Sequence, residues 1–350
     1  MSEVLKKDIH TLLHGDFPAE EIKGKRFLVT GATGLVGSLF VKTLLQGNRE
    51  LGLDCTVVAV VRNPDKAKDT FADYLDDEKL SFVVCDLATD SIKTEETIDY
   101  IVHAAAVTTS KDMVTYPVDN IMISVLGTRN VLEFAREHAV KSVVYLSSME
   151  VYGQLFVTDH KIKEDELGYV DLAAARSCYP EGKRMCECLC NAYATQYGVN
   201  VMSARLAQTF GPGIMKNENR VFAQFAKSAI SGTDIVLHTK GESEGNYVYT
   251  MDAICAIAIL LLRGEKGQAY NVSNVESHMT IAEMGEMVAT KVAGGRIKLV
   301  FDIPEDADKL GYAPTTKMHL DNSKMCALGW TPRVSLQQTY ERLIAYMCEA

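Results

Sequence analysis

Thr30-Gly31-Ala32-Thr33-Gly34-Leu35-Val36-Gly37 is the stretch that decides the fold. Residues 25–30 (KRFLVT) precede it as a short apolar strand. Residues 35–46 follow it with apolar side chains at helical spacing. Gly31, Gly34 and Gly37 therefore have G-x-x-G-x-x-G spacing across a strand–helix junction. Glycine permits the tight turn and close backbone approach, and the exposed helix N–H groups and dipole can hold a pyrophosphate. A glycine pattern alone is weak, but its position at the first such junction makes it specific. Gly31, Thr33, Gly34, Leu35, Val36 and Gly37 are thus expected to bind a nicotinamide dinucleotide.

Further strands are expected at Thr56–Val61, 80–85, Tyr100–His103, 142–146, 200–206 and 268–272. Helices are expected over 66–77, 118–138, 180–197, 251–262, 280–292 and 336–347. Near-continuous apolar strands alternating with helices indicate an α/β protein with a Rossmann-type doubly wound parallel sheet. The regular alternation weakens after Gly211-Pro212-Gly213. The expected organisation is an N-terminal extension over 1–23, then a dinucleotide-binding domain with the catalytic helix over 24–210. Residues 211–350 form mainly a smaller C-terminal substrate-binding lobe, with segments near 247–272 returning to the sheet.

The 350-residue chain carries a formal net charge of -10. That bulk charge disfavours nucleic acid as a partner. The start MSEVLKKDIH has no apolar run of signal-peptide length, and the apolar run at 253–262 is too short to span a bilayer. No membrane partner and a cytoplasmic location are expected. Nine cysteines form no regular framework and read as reduced thiols. Cys186, Cys188 and Cys190 alternate along a helix, a poor cage for a metal, and read as buried small side chains. No metal site is expected.

Ligands in such folds sit beyond the strand ends. Arg62 follows the second strand, where an acidic residue would accept the ribose hydroxyls of NAD. It could pair with a 2′-phosphate or pack over adenine, so NAD is favoured with NADP left open. Asp86, beyond the third strand, suits the adenine amino group or caps a helix. Tyr179 and Lys183 lie four residues apart, on one face of a helix. A nearby ammonium would lower the tyrosine's pKa toward a useful base. Ser148, beyond the fifth strand, can donate to a substrate oxygen.

With these residues in place, the sequence resembles the extended short-chain dehydrogenase/reductase superfamily, in its NAD-dependent nucleotide-sugar epimerase/dehydratase family. The matching pieces are TGATGLVG at 30–37, DL at 86–87, HAAA at 103–106, GTRNVLE at 127–133 and SSMEVYG at 147–153. YPEGK at 179–183, RLAQTFGPG at 205–213 and LDNSKMCALGWTP at 320–332 continue the match over nearly the whole chain. The resemblance adds Leu87, Ala104 and Ala105 to the cofactor site. It implies that Tyr179 takes a sugar hydroxyl proton as hydride passes to the nicotinamide, assisted by Ser148, with Lys183 positioning the cofactor. A transient 4-keto sugar then opens epimerisation, elimination or decarboxylation. Glu150 stands where relatives place an acid/base side chain, and Met149 where 4,6-dehydratases carry an aspartate.

Arg176-Ser177-Cys178-Tyr179-Pro180-Glu181-Gly182-Lys183-Arg184 resembles the active-site stretch of UDP-glucuronate decarboxylases. Those enzymes add an arginine from the C-terminal lobe, where this chain has Lys317-Met318-His319. Arg176, Gln208 and Arg220 are the expected substrate contacts. The leading expectation is an epimerase-like enzyme acting on a nucleotide-activated sugar. The alternatives are a decarboxylase-like or 4,6-dehydratase-like enzyme, and a non-catalytic dinucleotide-binding protein. The family also implies a homodimer through helices near 118–138 and 180–197.

Overall fold

The computed structural model describes residues 1–107, 109–155, 160–215, 217–304 and 315–349. The chain opens with helices α1 (Glu3–Leu13) and α2 (Ala19–Ile22), then alternates β1 (Arg26–Thr30), α3 (Leu35–Leu51), β2 (Thr56–Val61), α4 (Pro64–Thr70) and β3 (Leu80–Val84). It continues through β4 (Tyr100–His103), α5 (Ser110–Thr115), α6 (Pro117–Glu137), β5 (Ser142–Ser148), α7 (Cys178–Tyr197) and β6 (Val201–Leu206). The remainder comprises β7 (Gln208–Phe210), α8 (Val221–Ser231), β8 (Ile235–Leu237), β9 (Glu244–Tyr249), α9 (Thr250–Arg263), β10 (Ala269–Val272) and β11 (Asn274–Thr280). Last come α10 (Ile281–Met287), β12 (Leu299–Phe301), α11 (Ser323–Cys326) and α12 (Leu336–Glu349).

Seven strands form one parallel sheet in the order β10-β6-β5-β4-β1-β2-β3. This is the doubly wound order, with its switch point between β1 and β4. Alternate strand residues point to opposite faces, and both faces are buried along β1, β2, β4, β5 and β6, whereas the edge strand β3 is only half-buried. Phe27, Val29, Val57 and Ala59 enter one core, while Leu28, Val58 and Val60 enter the other. Such strands read as continuous apolar runs, which is why they are legible in the sequence.

β10 and the apolar helix α9 belong to this sheet domain although they follow β7 in the chain. The smaller lobe has its own core, built from α8, α10, α12 and the sheets β11-β9-β7 and β12-β8. Those small sheets had no counterpart in the sequence reading: β7, β8 and β12 have three residues each, too few to show a period, and β9 and β11 carry polar residues such as Asn246, Glu276 and Ser277 among their apolar ones. Residues 66–77 are not one helix. Asn63 caps the helix from Pro64, and α4 ends at Thr70 before a short 3-10 turn at Ala72–Tyr74.

The N-terminal segment is an integral brace. Leu5, Ile9 and Leu13 of α1 are buried, and α1 packs on α3, α9 and α12. Buried Asp8 accepts hydrogen bonds from Tyr249 and, at 3.0 Å, from Arg342. Asp16 pairs with Arg333, and Glu21 with Arg263. One helix thereby ties the sheet domain to the small lobe. No helix among the described residues is long and apolar enough to cross a membrane.

Candidate active site

The glycine turn expected to hold the cofactor sits at the switch point. Gly31 has φ +62, and a Cβ there would lie 2.6 Å from the Ala104 backbone. A Cβ on Gly37 would overlap Gly31 O, so this glycine lets α3 pack on the turn. Gly34 is the N-cap of α3 and makes no side-chain capping bond. The only heavy atom of the described structure close to a Cβ at Gly34 is Gly31 O at 3.2 Å. The first-turn N–H groups of α3 lie at a helix N-terminus directly behind this glycine turn, the arrangement suited to a pyrophosphate. Thr33, Leu35 and Val36 are half-buried around that turn.

The end of β4 is locked to the end of β1. His103 Nδ1 lies 2.7 Å from Thr30 Oγ1, which also accepts from Ala105 N at 3.3 Å. Complete burial, followed by the charge of Lys183, pushes His103 down to about 3, so the ring is neutral and structural. Arg62 is exposed at the end of β2, and its neighbour Asn63 is committed to capping α4. Asp86 closes a local turn by accepting from Ala88 N at 3.0 Å. Leu87 is buried in the core beneath α6.

The reactive residues meet where β5 ends and α7 begins. Ser148 caps a 3-10 turn, accepting from Glu150 N at 3.2 Å, and this fixes Glu150 beside it. Tyr179 lies in the first turn of α7, with Lys183 one turn on; both are buried. Lys183 Nζ donates to Leu146 O at 2.7 Å and lies 5.8 Å from the centre of the Tyr179 ring. Burial pulls its ammonium down to about 8.

Tyr179 departs from the sequence expectation. Burial, then the charge of Glu150, pushes its phenol up to about 12, while a hydrogen bond with Ser148 works in the other direction. Lys183 is not among the leading influences, because its ammonium is turned to Leu146 O. In the protein chain alone, desolvation outweighs the anticipated effect of the neighbouring lysine.

Arg176 reaches Glu150 through two bonds, Nη1–Oε2 at 2.9 Å and Nη2–Oε1 at 3.0 Å. This forked pair holds the carboxylate next to Ser148 and Tyr179. Arg176 had been read as a substrate contact; the fold gives it an acidic partner 26 residues away in sequence. Arg220 is paired with Glu218 at 2.7 Å, yet its charge still reaches Tyr179. Gln208 lies exposed on β7. Lys317 is exposed, whereas half-buried His319 stacks on His278 with ring centres 4.0 Å apart. Behind the site, Arg205 binds Glu187 at 2.7 Å and Tyr152 Oη at 3.0 Å. Ser147 and Asn271 complete this buried network, which sequence spacing gave no means of finding. Cys178, Cys186 and Cys190 are buried, as read from the sequence, but Cys188 is exposed, because it falls off the face of α7 that Cys186 and Cys190 share.

The NAD dependent epimerase/dehydratase family model matches residues 27–273. The chain belongs to that family. It is an enzyme of this type with NAD as its cofactor, which removes the non-catalytic reading. UDP-glucuronic acid decarboxylase 1 of Xenopus tropicalis is 28% identical over 92% of this chain and 72% of its own length. UDP-glucuronic acid decarboxylase 6 of Arabidopsis thaliana is 28% identical over 89% of this chain and 86% of its own. Among solved structures, UDP-glucose 4-epimerase of Thermotoga maritima superposes with a TM-score of 0.76 at 21% identity, covering 93% of this chain and 99% of that one. A dTDP-glucose 4,6-dehydratase of Streptomyces venezuelae gives 0.73 at 24% identity, covering 93% and 97%. These two likenesses establish the shared fold.

Proposed function

We propose that the enzyme decarboxylates a nucleotide-activated uronic acid of the UDP-glucuronate class through a 4-keto intermediate. The observation that carries this reading is Glu150, pinned by Arg176 beside Ser148 and Tyr179, with Met149 as its neighbour. Inversion at C4 needs no acid/base group at the adjacent carbon. Dehydration needs an acid for the departing hydroxyl, which Met149 cannot supply. Loss of carbon dioxide from a β-keto acid needs neither; it needs a proton donor at C5. The decarboxylase relatives point the same way, so this reading moves ahead of epimerisation.

Bound NAD would supply a hydride acceptor for C4 of the sugar and later return the hydride. Tyr179 takes the C4 hydroxyl proton, with Ser148 hydrogen-bonding the same oxygen. A phenolate of the basicity found here is sparsely populated at neutral pH but strong as a base. With a ketone at C4, the C5–C6 bond breaks, its electron pair moves toward the C4 oxygen, and carbon dioxide leaves. Tyr179 and Ser148 hydrogen-bond the resulting enolate oxygen, and Glu150 relays to C5 a proton taken up from solvent, the one proton the loss of carbon dioxide consumes. Tyr179 returns its proton to O4 as C4 is reduced. Lys183, turned to Leu146 O, stiffens the floor of the site, and Arg220 offers a charge to the anionic substrate.

We further assign self-association to α6 and α7. Val118, Ile121 and Met122 on α6 and Met185 on α7 are large apolar side chains left exposed. The functional test is incubation with UDP-glucuronate and NAD in deuterated water, read by mass spectrometry and proton NMR. The expected product has lost carbon dioxide and carries one solvent deuterium at C5. An unchanged skeleton with altered ring couplings would establish epimerisation instead, and loss of water would establish dehydration.

A further inference from the structure

At the end of α3 remote from the cofactor turn, His10 of α1 and His14, the C-cap of α1, converge on Glu50. His10 and His14 are one helical turn apart and share a face, with ring centres 4.1 Å apart. Glu50 Oε2 lies 2.7 Å from His10 Nδ1 and 3.7 Å from His14 Nδ1. One ligand atom from each residue falls within 4.8 Å of the other two. A tetrahedral ion with bonds of about 2.0–2.1 Å holds its ligands about 3.3 Å apart, and the two observed separations bracket that value.

The carboxylate is oriented from behind. Gln46 Nε2 donates to Glu50 Oε1 at 2.7 Å, and Gln46 Oε1 accepts from the buried Tyr74 hydroxyl at 3.1 Å. Oε2 is left facing the imidazoles, with the outer-shell support that metal ligands use. The side chains of His10, His14 and Glu50 are 59%, 45% and 21% exposed, so an ion and its water can enter.

We propose that His10, His14 and Glu50 form a site for one divalent transition-metal cation of the Zn2+ class, with water completing the coordination. Two nitrogens and one oxygen suit Zn2+, Ni2+ or Cu2+, whereas Mg2+ and Ca2+ favour all-oxygen shells. His14 Nδ1 exchanges its 3.0 Å contact with His10 O for the ion. Residues 35 and 50 are about 22 Å apart along α3, so the ion is remote from the cofactor turn. Its effect is to staple α1, the brace between sheet domain and small lobe, to α3.

The test is titration of the full-length protein with Co2+ under reducing conditions, followed by displacement with Zn2+. One equivalent is expected to give visible d–d bands without the near-ultraviolet charge transfer of a thiolate. His14→Gln and Glu50→Gln should each weaken binding at least about tenfold, with circular dichroism matching the parent. Zn2+ should raise the unfolding midpoint and slow amide exchange in α1 of the parent, and do neither in the variants. Thiolate bands would place the ion on cysteines, of which Cys188 and Cys348 are exposed, and would overturn the proposal. Binding unaffected by either substitution, or no saturable binding, would overturn it too.

Discussion

Replacing Lys183 with methionine should make the protein more stable at neutral pH while removing its activity. The lysine is buried, and its pKa falls from 10.5 to about 8. The unfolded chain therefore binds the proton more tightly than the folded one. The cost of carrying the charge is full below about pH 8 and disappears as pH rises through the unfolded value of 10.5. That drop corresponds to about 3 kcal/mol. Methionine avoids the cost but leaves Leu146 O without its 2.7 Å donor, a loss of about 1–3 kcal/mol. The expected net gain is about 1 kcal/mol at pH 7. Between pH 7 and 10 the difference between variant and parent should move by about 2–3 kcal/mol in favour of the parent. Urea unfolding of both proteins at several pH values measures this, since groups common to both cancel. A difference that stays flat with pH would show that the buried ammonium is not what the stability of the parent carries.

Tyr179→Phe should abolish turnover while NAD affinity, measured by calorimetry, stays near that of the parent; full activity would remove the phenol from the mechanism. Gly31→Ala forces a side chain into a left-handed turn 2.6 Å from the Ala104 backbone, and should lose NAD binding in the same assay. Asp8→Ala leaves Arg342 and the buried Tyr249 without their shared acceptor. It should cost about 2–4 kcal/mol in denaturant unfolding, against well under 1 kcal/mol if α1 were a loose appendage. Met122→Lys, on the exposed apolar face of α6, should shift the protein to monomers in sedimentation; an unchanged mass would place any self-association elsewhere.

The sequence by itself determined what local stereochemistry controls. The glycines at 31, 34 and 37 announce the phosphate turn because only glycine tolerates the positive φ at one position and the backbone contact at another. The doubly buried strands were legible as apolar runs, and a four-residue spacing put Tyr179 and Lys183 on one helix face. Even β5 was read two residues short, because Ser147 and Ser148 enter the sheet only by pairing with Arg205 and Leu206.

The tertiary structure decided everything that depends on distant partners or on exclusion of water. Glu150 acquires Arg176 across 26 residues, and Asp8 meets Tyr249 across 241. His10 meets Glu50 across 40. Lys183 looked in sequence like the charge that acidifies Tyr179. In the fold its ammonium turns to a backbone carbonyl, and burial raises the phenol instead. Spacing along a helix specifies which side chains share a face, but the dielectric around them is set by whatever the rest of the chain packs on top.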